Sequence, residues 1–85
     1  MGGRRGPRTR EHQGQTYQRL AHELARNVVR LRMRRGWNQE EAAHRCGLAT
    51  RLLQRVEAAG ANVTLTTIAR LVEGLDVPVN ELFKG

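Results

Sequence analysis

Few residues in this chain can do covalent chemistry, and their spacing argues against it. There is no serine, Asp76 is the only aspartate, and the single cysteine, Cys46, lies two residues from His44, on a different helix face. His12, His22 and His44 lack paired metal-ligand spacing, so neither a zinc site nor a cofactor is expected. Glu40 and Glu41 stand together, but at a predicted helix start, where negative charge is favoured. The reading is therefore not an enzyme. Arginine has the other chemistry on offer, a planar guanidinium that forms paired hydrogen bonds to anions and to base edges. Arg51 and Arg55 are four residues apart, which puts both on one helix face.

Charge placement narrows the partner. The chain of 85 residues carries a formal net charge of +7, with a pI near 11.4, which favours polyanions such as nucleic acid. Residues 1–35 hold ten arginines against Glu11 and Glu23, whereas residues 36–85 are nearly balanced. The basic character therefore belongs to an N-terminal arm and a first helix. An anionic membrane surface suits the charge less well, because the arginines surround an apolar stripe that the core needs. The length allows one small domain. One cysteine excludes an internal disulfide, and with no signal peptide or membrane-spanning run a cytoplasmic protein is expected. Cys46 reads as a small buried thiol.

Residues 1–15, rich in Gly and Arg and without hydrophobic periodicity, predict a flexible basic arm. Arg4, Arg5, Arg8 and Arg10 could follow a DNA groove or simply make a solubilising tail. Residues 16–85 form the domain. Tyr17, Leu20, Leu24, Val28 and Leu31 fall at helical spacing, predicting a first helix over about 16–35 that ends at Gly36. Asn38 with Glu41 forms a capping-box start for a second helix over 39–46, with Trp37 as a hydrophobic staple on Ala42. Gly47 supplies a turn, and a third helix begins near Ala49 or Thr50 and ends at the Ala58-Ala59-Gly60 step, where Gly60 is a natural stop. Ala42, Ala43, Cys46, Leu48, Leu53 and Val56 give the two helices an inner face, and Thr50, Arg51 and Arg55 point outward, a helix-turn-helix layout. Thr64 starts a further helix with the stripe Leu65, Ile68, Ala69, Leu71, Val72 and Leu75, followed by a short turn from Pro78 to Phe83. No segment alternates as a strand, so the class is all-α.

This order resembles the lambda repressor, Cro and XRE family of five-helix DNA-binding domains over about residues 22–83. The resemblance rests on several segments in register: residues 27–39 with the Gly36-Trp37-Asn38-Gln39 junction, the Gly47-Leu48 turn, Arg55-Val56-Glu57, the Asn62-Val63-Thr64-Leu65 start and the run from Leu75 to Phe83. Small stand-alone regulators such as restriction-modification controller proteins look nearest in length.

The resemblance implies a third helix lying in the major groove of double-stranded DNA, with Ala49, Thr50, Arg51 and Arg55 meeting base edges. Thr50 could touch a thymine methyl or serve the helix start. Gln39 is implied as a phosphate contact, with Asn38, Asn62 and Thr64 as further candidates, although Asn38 and Thr64 equally suit capping. Arg34, Arg35 and Arg45 are additional backbone candidates. The implied function is transcriptional regulation as a homodimer on a palindromic operator. The alternative is an antitoxin or adaptor module whose main partner is a protein. Val79, Leu82 and Phe83 are expected at the dimer interface, and Tyr17 and Leu20 dock either on the domain itself or on a second subunit. This chain departs from the family in having Ala42 where a larger Leu is common, and in Ala58 and Ala59 where polar residues are usual, which predicts fewer phosphate bonds after the third helix.

Overall fold

The computed structural model describes residues 14–60 and 62–85, so most of the predicted basic arm lies outside the described residues. Among them are four α-helices, α1 Gln15–Arg34, α2 Gln39–Cys46, α3 Thr50–Glu57 and α4 Leu65–Leu75, and a 3-10 helix Val79–Phe83. The expected fifth α-helix is this 3-10 turn, held between Pro78 and an extended Lys84. No strand occurs among the described residues. α1 lies against α3 and the 3-10 turn, and α2 against α3 and α4.

Local chemistry sets the helix ends. Asn38 caps α2 by accepting from the Glu41 N–H at 2.8 Å, whereas the Glu41 carboxylate pairs with Arg45 instead of returning to the cap. Only half of the predicted capping box forms. Gly47 ends α2 with φ +67°, and its N–H donates to the His44 carbonyl. Ala49 precedes α3 without a side-chain cap. Thr64 caps α4 by accepting from the Thr67 N–H at 3.2 Å. α3 ends at the expected Ala58-Ala59-Gly60 step, but the left-handed residue there is not Gly60. Ala59 takes the left-handed conformation, φ +58°, while the Gly60 N–H closes back on the Arg55 carbonyl at 2.9 Å. Asp76 is likewise left-handed after α4, φ +57°.

The core draws on every element, with Leu24, Val28 and Leu31 from α1, Ala42, Ala43 and Cys46 from α2, Leu53 and Val56 from α3, Leu71 and Leu75 from α4, and Leu82 from the final turn. The predicted inner face of the α2–α3 pair is buried, apart from a half-buried Leu48. Ala42 is among the buried residues, and Trp37 and Leu52 pack against the same core cluster. The predicted α4 stripe is wrong at two positions, since Leu65 is 83% exposed and Ala69 is exposed. Leu65 is six residues before Leu71, which at 3.6 residues per turn sets it roughly 120° around the helix from the face that Leu71 and Leu75 turn to the core.

Asn27, a buried polar residue in α1, was not anticipated. Its amide nitrogen donates to the carbonyls of Leu82 at 3.1 Å and Lys84 at 2.9 Å, tying the last turn to α1. Arg30, alongside, donates to the Asn27 side-chain oxygen and pairs with Glu81.

Ala59 is strained by its β-carbon in a conformation that glycine adopts freely. Ala59→Gly is expected to raise unfolding stability by about 1 kcal/mol, as measured by denaturant titration followed by Trp37 fluorescence. A loss of stability would show that the turn is not strained at this residue.

Candidate nucleic-acid interface

α2 and α3 meet across the Gly47 turn, and their relative position is fixed by ionic and amide groups around the end of α3. The Glu57 carboxylate accepts two bonds from Arg32 of α1, Nε at 2.7 Å and Nη2 at 3.0 Å. Arg32 Nη1 donates to the Trp37 carbonyl at 2.9 Å. Gln39 Nε2 donates to the same Glu57 carboxylate at 2.9 Å, and Gln54 Nε2 donates to Gln39 Oε1 at 3.3 Å. The side chains of Arg32 and Glu57 are only 14% and 6% exposed. One nearly dry carboxylate thus joins α1, the α1–α2 loop, α2 and α3. Sequence reasoning placed Glu57 in a recognisable segment but missed this junction. The available signal was that Glu57 is the only acid in α3 while Arg32 stands on the predicted first helix.

On the outer face of α3, Arg51 and Arg55 are exposed, and neither has a hydrogen bond or ion pair among the described residues. Thr50 is half-buried as the first helical residue, and Ala49 is exposed just before it. The structure brings these four together at the start and outer face of one helix.

The other predicted contacts divide. Arg34 is exposed and, among the described residues, unpaired. Arg35 donates to the Leu75 carbonyl at 2.6 Å and lies 5.4 Å from the Trp37 ring centre. Arg45 pairs with Glu41 and lies 5.0 Å from the same ring. Both guanidiniums therefore already have partners, and Trp37 serves as their platform as well as packing on the core. Asn38 and Thr64 use their side-chain oxygens for capping, and Asn62 is exposed. Gln39 retains one amide N–H beyond the bond to Glu57. The first turn of α2 also carries Glu40 and Glu41, whose charge favours the helix but opposes an approaching phosphate.

Leu82 corrects the expected dimer interface. It is 0% exposed within the chain's own core and cannot face a second copy, because the bonds to Asn27 draw the final turn inward. Val79 is exposed and Phe83 half-buried.

Cys46 is buried, and desolvation pushes its thiol above the usual range. No group of His, Cys, Asp and Glu able to hold a metal occurs among the described residues, and none of their helices is long and apolar enough to cross a membrane.

A helix-turn-helix unit with its second helix free on one face is what these elements define. The helix-turn-helix family model matches residues 28–82, and the chain belongs to this family, of the Cro, CI and XRE type. A curated relative, the Neisseria hypothetical transcription factor of Neisseria meningitidis serogroup B, is 36% identical over 59 residues, 69% of this chain and 56% of the relative, so the chain spans little more than half of that protein. The crystal structure of the hypothetical transcription factor NHTF from Neisseria superposes with a TM-score of 0.73 at 34% identity, covering 76% of this chain and 75% of that one. The restriction-modification controller protein C.AhdI from Aeromonas hydrophila gives a TM-score of 0.70 at 32% identity, covering 74% and 96%. A mutant of the controller protein C.Esp1396I, at 22% identity and a TM-score of 0.68 over 75% and 81%, shares the fold.

Truncating Glu57 would leave Arg32 nearly buried and unpaired. Glu57→Ala is expected to cost about 3 kcal/mol of unfolding free energy, measured by denaturant titration; a change within the scatter of surface variants would show that the junction is dispensable. Cys46 is expected to resist thiol reagents in the native protein and to react once it is unfolded, and rapid native labelling would contradict its burial.

Proposed function

We propose that this chain binds specific double-stranded DNA and regulates transcription in the cytoplasm, acting as a homodimer on a palindromic operator. The observation that carries the reading is the pair of unpartnered guanidiniums, Arg51 and Arg55, on the exposed face of α3, in a chain of net charge +7. Two free arginines four residues apart on a recognition helix suit bidentate bonding to guanine O6 and N7. The relatives named as transcription factor and controller proteins support the same reading.

The division of labour depends on what each side chain has left to give. Arg51 and Arg55 read base edges, and Ala49 and Thr50 meet the groove beside them. Backbone anchoring falls to Arg34 and to the remaining amide N–H of Gln39, with Asn62 near the start of α4. Asn38, Thr64, Arg35 and Arg45 contribute less, because their polar groups are engaged within the domain. A homodimer reads two half-sites about one helical turn (roughly 10 bp) apart, which multiplies the specificity of so short a helix. The rival reading, an adaptor or antitoxin whose main partner is a protein, does not account for the two free arginines.

The test is binding to a random duplex across a salt series, followed by selection of preferred sequences from a random pool. Affinity should fall steeply with salt, each neutralised phosphate contributing roughly 0.9 to the log-log slope. Arg55→Ala should cost about 1 to 3 kcal/mol on the selected site and far less on random DNA, whereas Arg34→Ala should weaken both alike. No binding at low salt would remove the DNA reading, and equal losses for Arg55→Ala on both duplexes would remove its base-reading role.

A further inference from the structure

The first turns of α1 precede residue 28, where the family match begins, and they build something of their own. Tyr17, Leu20 and Leu24 form one wall of an apolar groove of about 180 Å³, and Val63, Ile68 and Phe83 form the other. Apolar cavities of that order accept a six-carbon ring. Leu20 is 41% exposed and Leu65 83% exposed. Leu65 does not line the groove, but it is three residues before Ile68 on α4, which makes it a neighbour of that wall on the helix surface. We propose that this groove and Leu65 form the contact between two copies of the chain, Leu65 of each entering the groove of the other. The inference rests on the homodimer of the preceding reading and gives it a surface.

Three features favour a second copy as the occupant. A two-fold contact sets one patch against itself, so the patch must carry both a projection and a recess; Leu65 is the projection and the groove the recess. Two chains of net charge +7 must also meet where like charges do not oppose each other, and no Lys or Arg lines the groove. Residues 1–13, the segment of this chain nearest in sequence to the α1 wall, offer little to fill an apolar recess, with Arg4, Arg5, Arg8 and Arg10 among them and only Met1 and Pro7 apolar. The groove takes no residue from α2 or α3, so pairing through it leaves Arg51 and Arg55 uncovered. Burial of Leu65 in a partner also explains why so large an apolar side chain is left outside the monomer's core.

Sedimentation equilibrium of the full chain without DNA tests the contact, with thermal unfolding followed by Trp37 fluorescence to confirm that each variant folds. The unaltered chain should associate reversibly to dimers. Leu65→Glu and Leu20→Glu should each weaken association by roughly a hundredfold or more, because a two-fold contact loses the side chain twice and each burial is worth at least about tenfold. Met33→Glu, on α1 and 63% exposed but outside the groove, and Val79→Glu should leave association unchanged. A chain that stays monomeric at every concentration, as expected if another protein or the N-terminal arm fills the groove, would overturn the proposal. So would a dimer that survives Leu65→Glu, or one lost only on Val79→Glu. A monomer that still binds DNA with a steep salt dependence would remove the groove contact and leave the DNA reading standing.

Discussion

The position of the recognition helix hangs on one carboxylate. Glu57 ends α3, and its two oxygens take both donors of the Arg32 fork and the amide of Gln39. Arg32 in turn holds the Trp37 carbonyl, in the loop that must turn before α2 can start. Apolar packing alone would bring α2 and α3 together, because Ala43, Leu53 and Val56 have few other places to go, but the force behind it has no direction. A nearly dry fork of directed bonds has one. The outer face of α3 inherits its orientation from groups on its inner and terminal side, which is why the exposed arginines need no scaffold of their own.

Arginine does several separate jobs in this small domain. Arg32 is structural and almost buried. Arg35 and Arg70 close carbonyls at chain turns, those of Leu75 and Gly47, Arg45 pairs with Glu41 beside Trp37, and Arg30 pairs with Glu81. Arg19, Arg34, Arg51 and Arg55 remain with their donors free among the described residues. Net charge alone overstates the cationic surface available for a polyanion, since much of it is committed within the fold.

The helices themselves were largely legible from sequence. Periodicity and the Asn38 and Thr64 caps placed α2 and α4 closely, and Gly47 announced its turn because positive φ has few other sources. What periodicity could not supply was any contact between residues far apart in the chain. Arg32 to Glu57 and Asn27 to Leu82 are pairings of that kind, and nothing local marks them. Leu65 and Leu82 were misjudged for a related reason: an apolar letter in a short element does not tell whether the element is rolled inward. Leu82 is, because Asn27 holds its carbonyl, and Leu65 is not. The end of α3 was read at the right step, Ala58-Ala59-Gly60, but glycine is the expected residue for a left-handed cap, whereas the chain uses Ala59 there. For the site, the register gave Arg51 and Arg55, but which other polar groups are already engaged could be read only from the folded chain.

Gly74 gives the fold a different kind of sensitivity. It lies inside α4, where glycine weakens a helix, and a β-carbon there would stand 2.6 Å from the Cys46 Cα and 2.9 Å from the Arg45 carbonyl oxygen. The Cys46 Sγ lies in the same space, so α2 rests on α4 at a point where α4 itself contributes no side chain as spacer. Any residue larger than glycine at position 74 acts as a wedge under the C-terminal end of α2, next to the Gly47 hinge. The single missing methyl group is thus a setting of angle: adding it would pry α2 away from its support and tilt α3 with it, without touching one residue of the outward face.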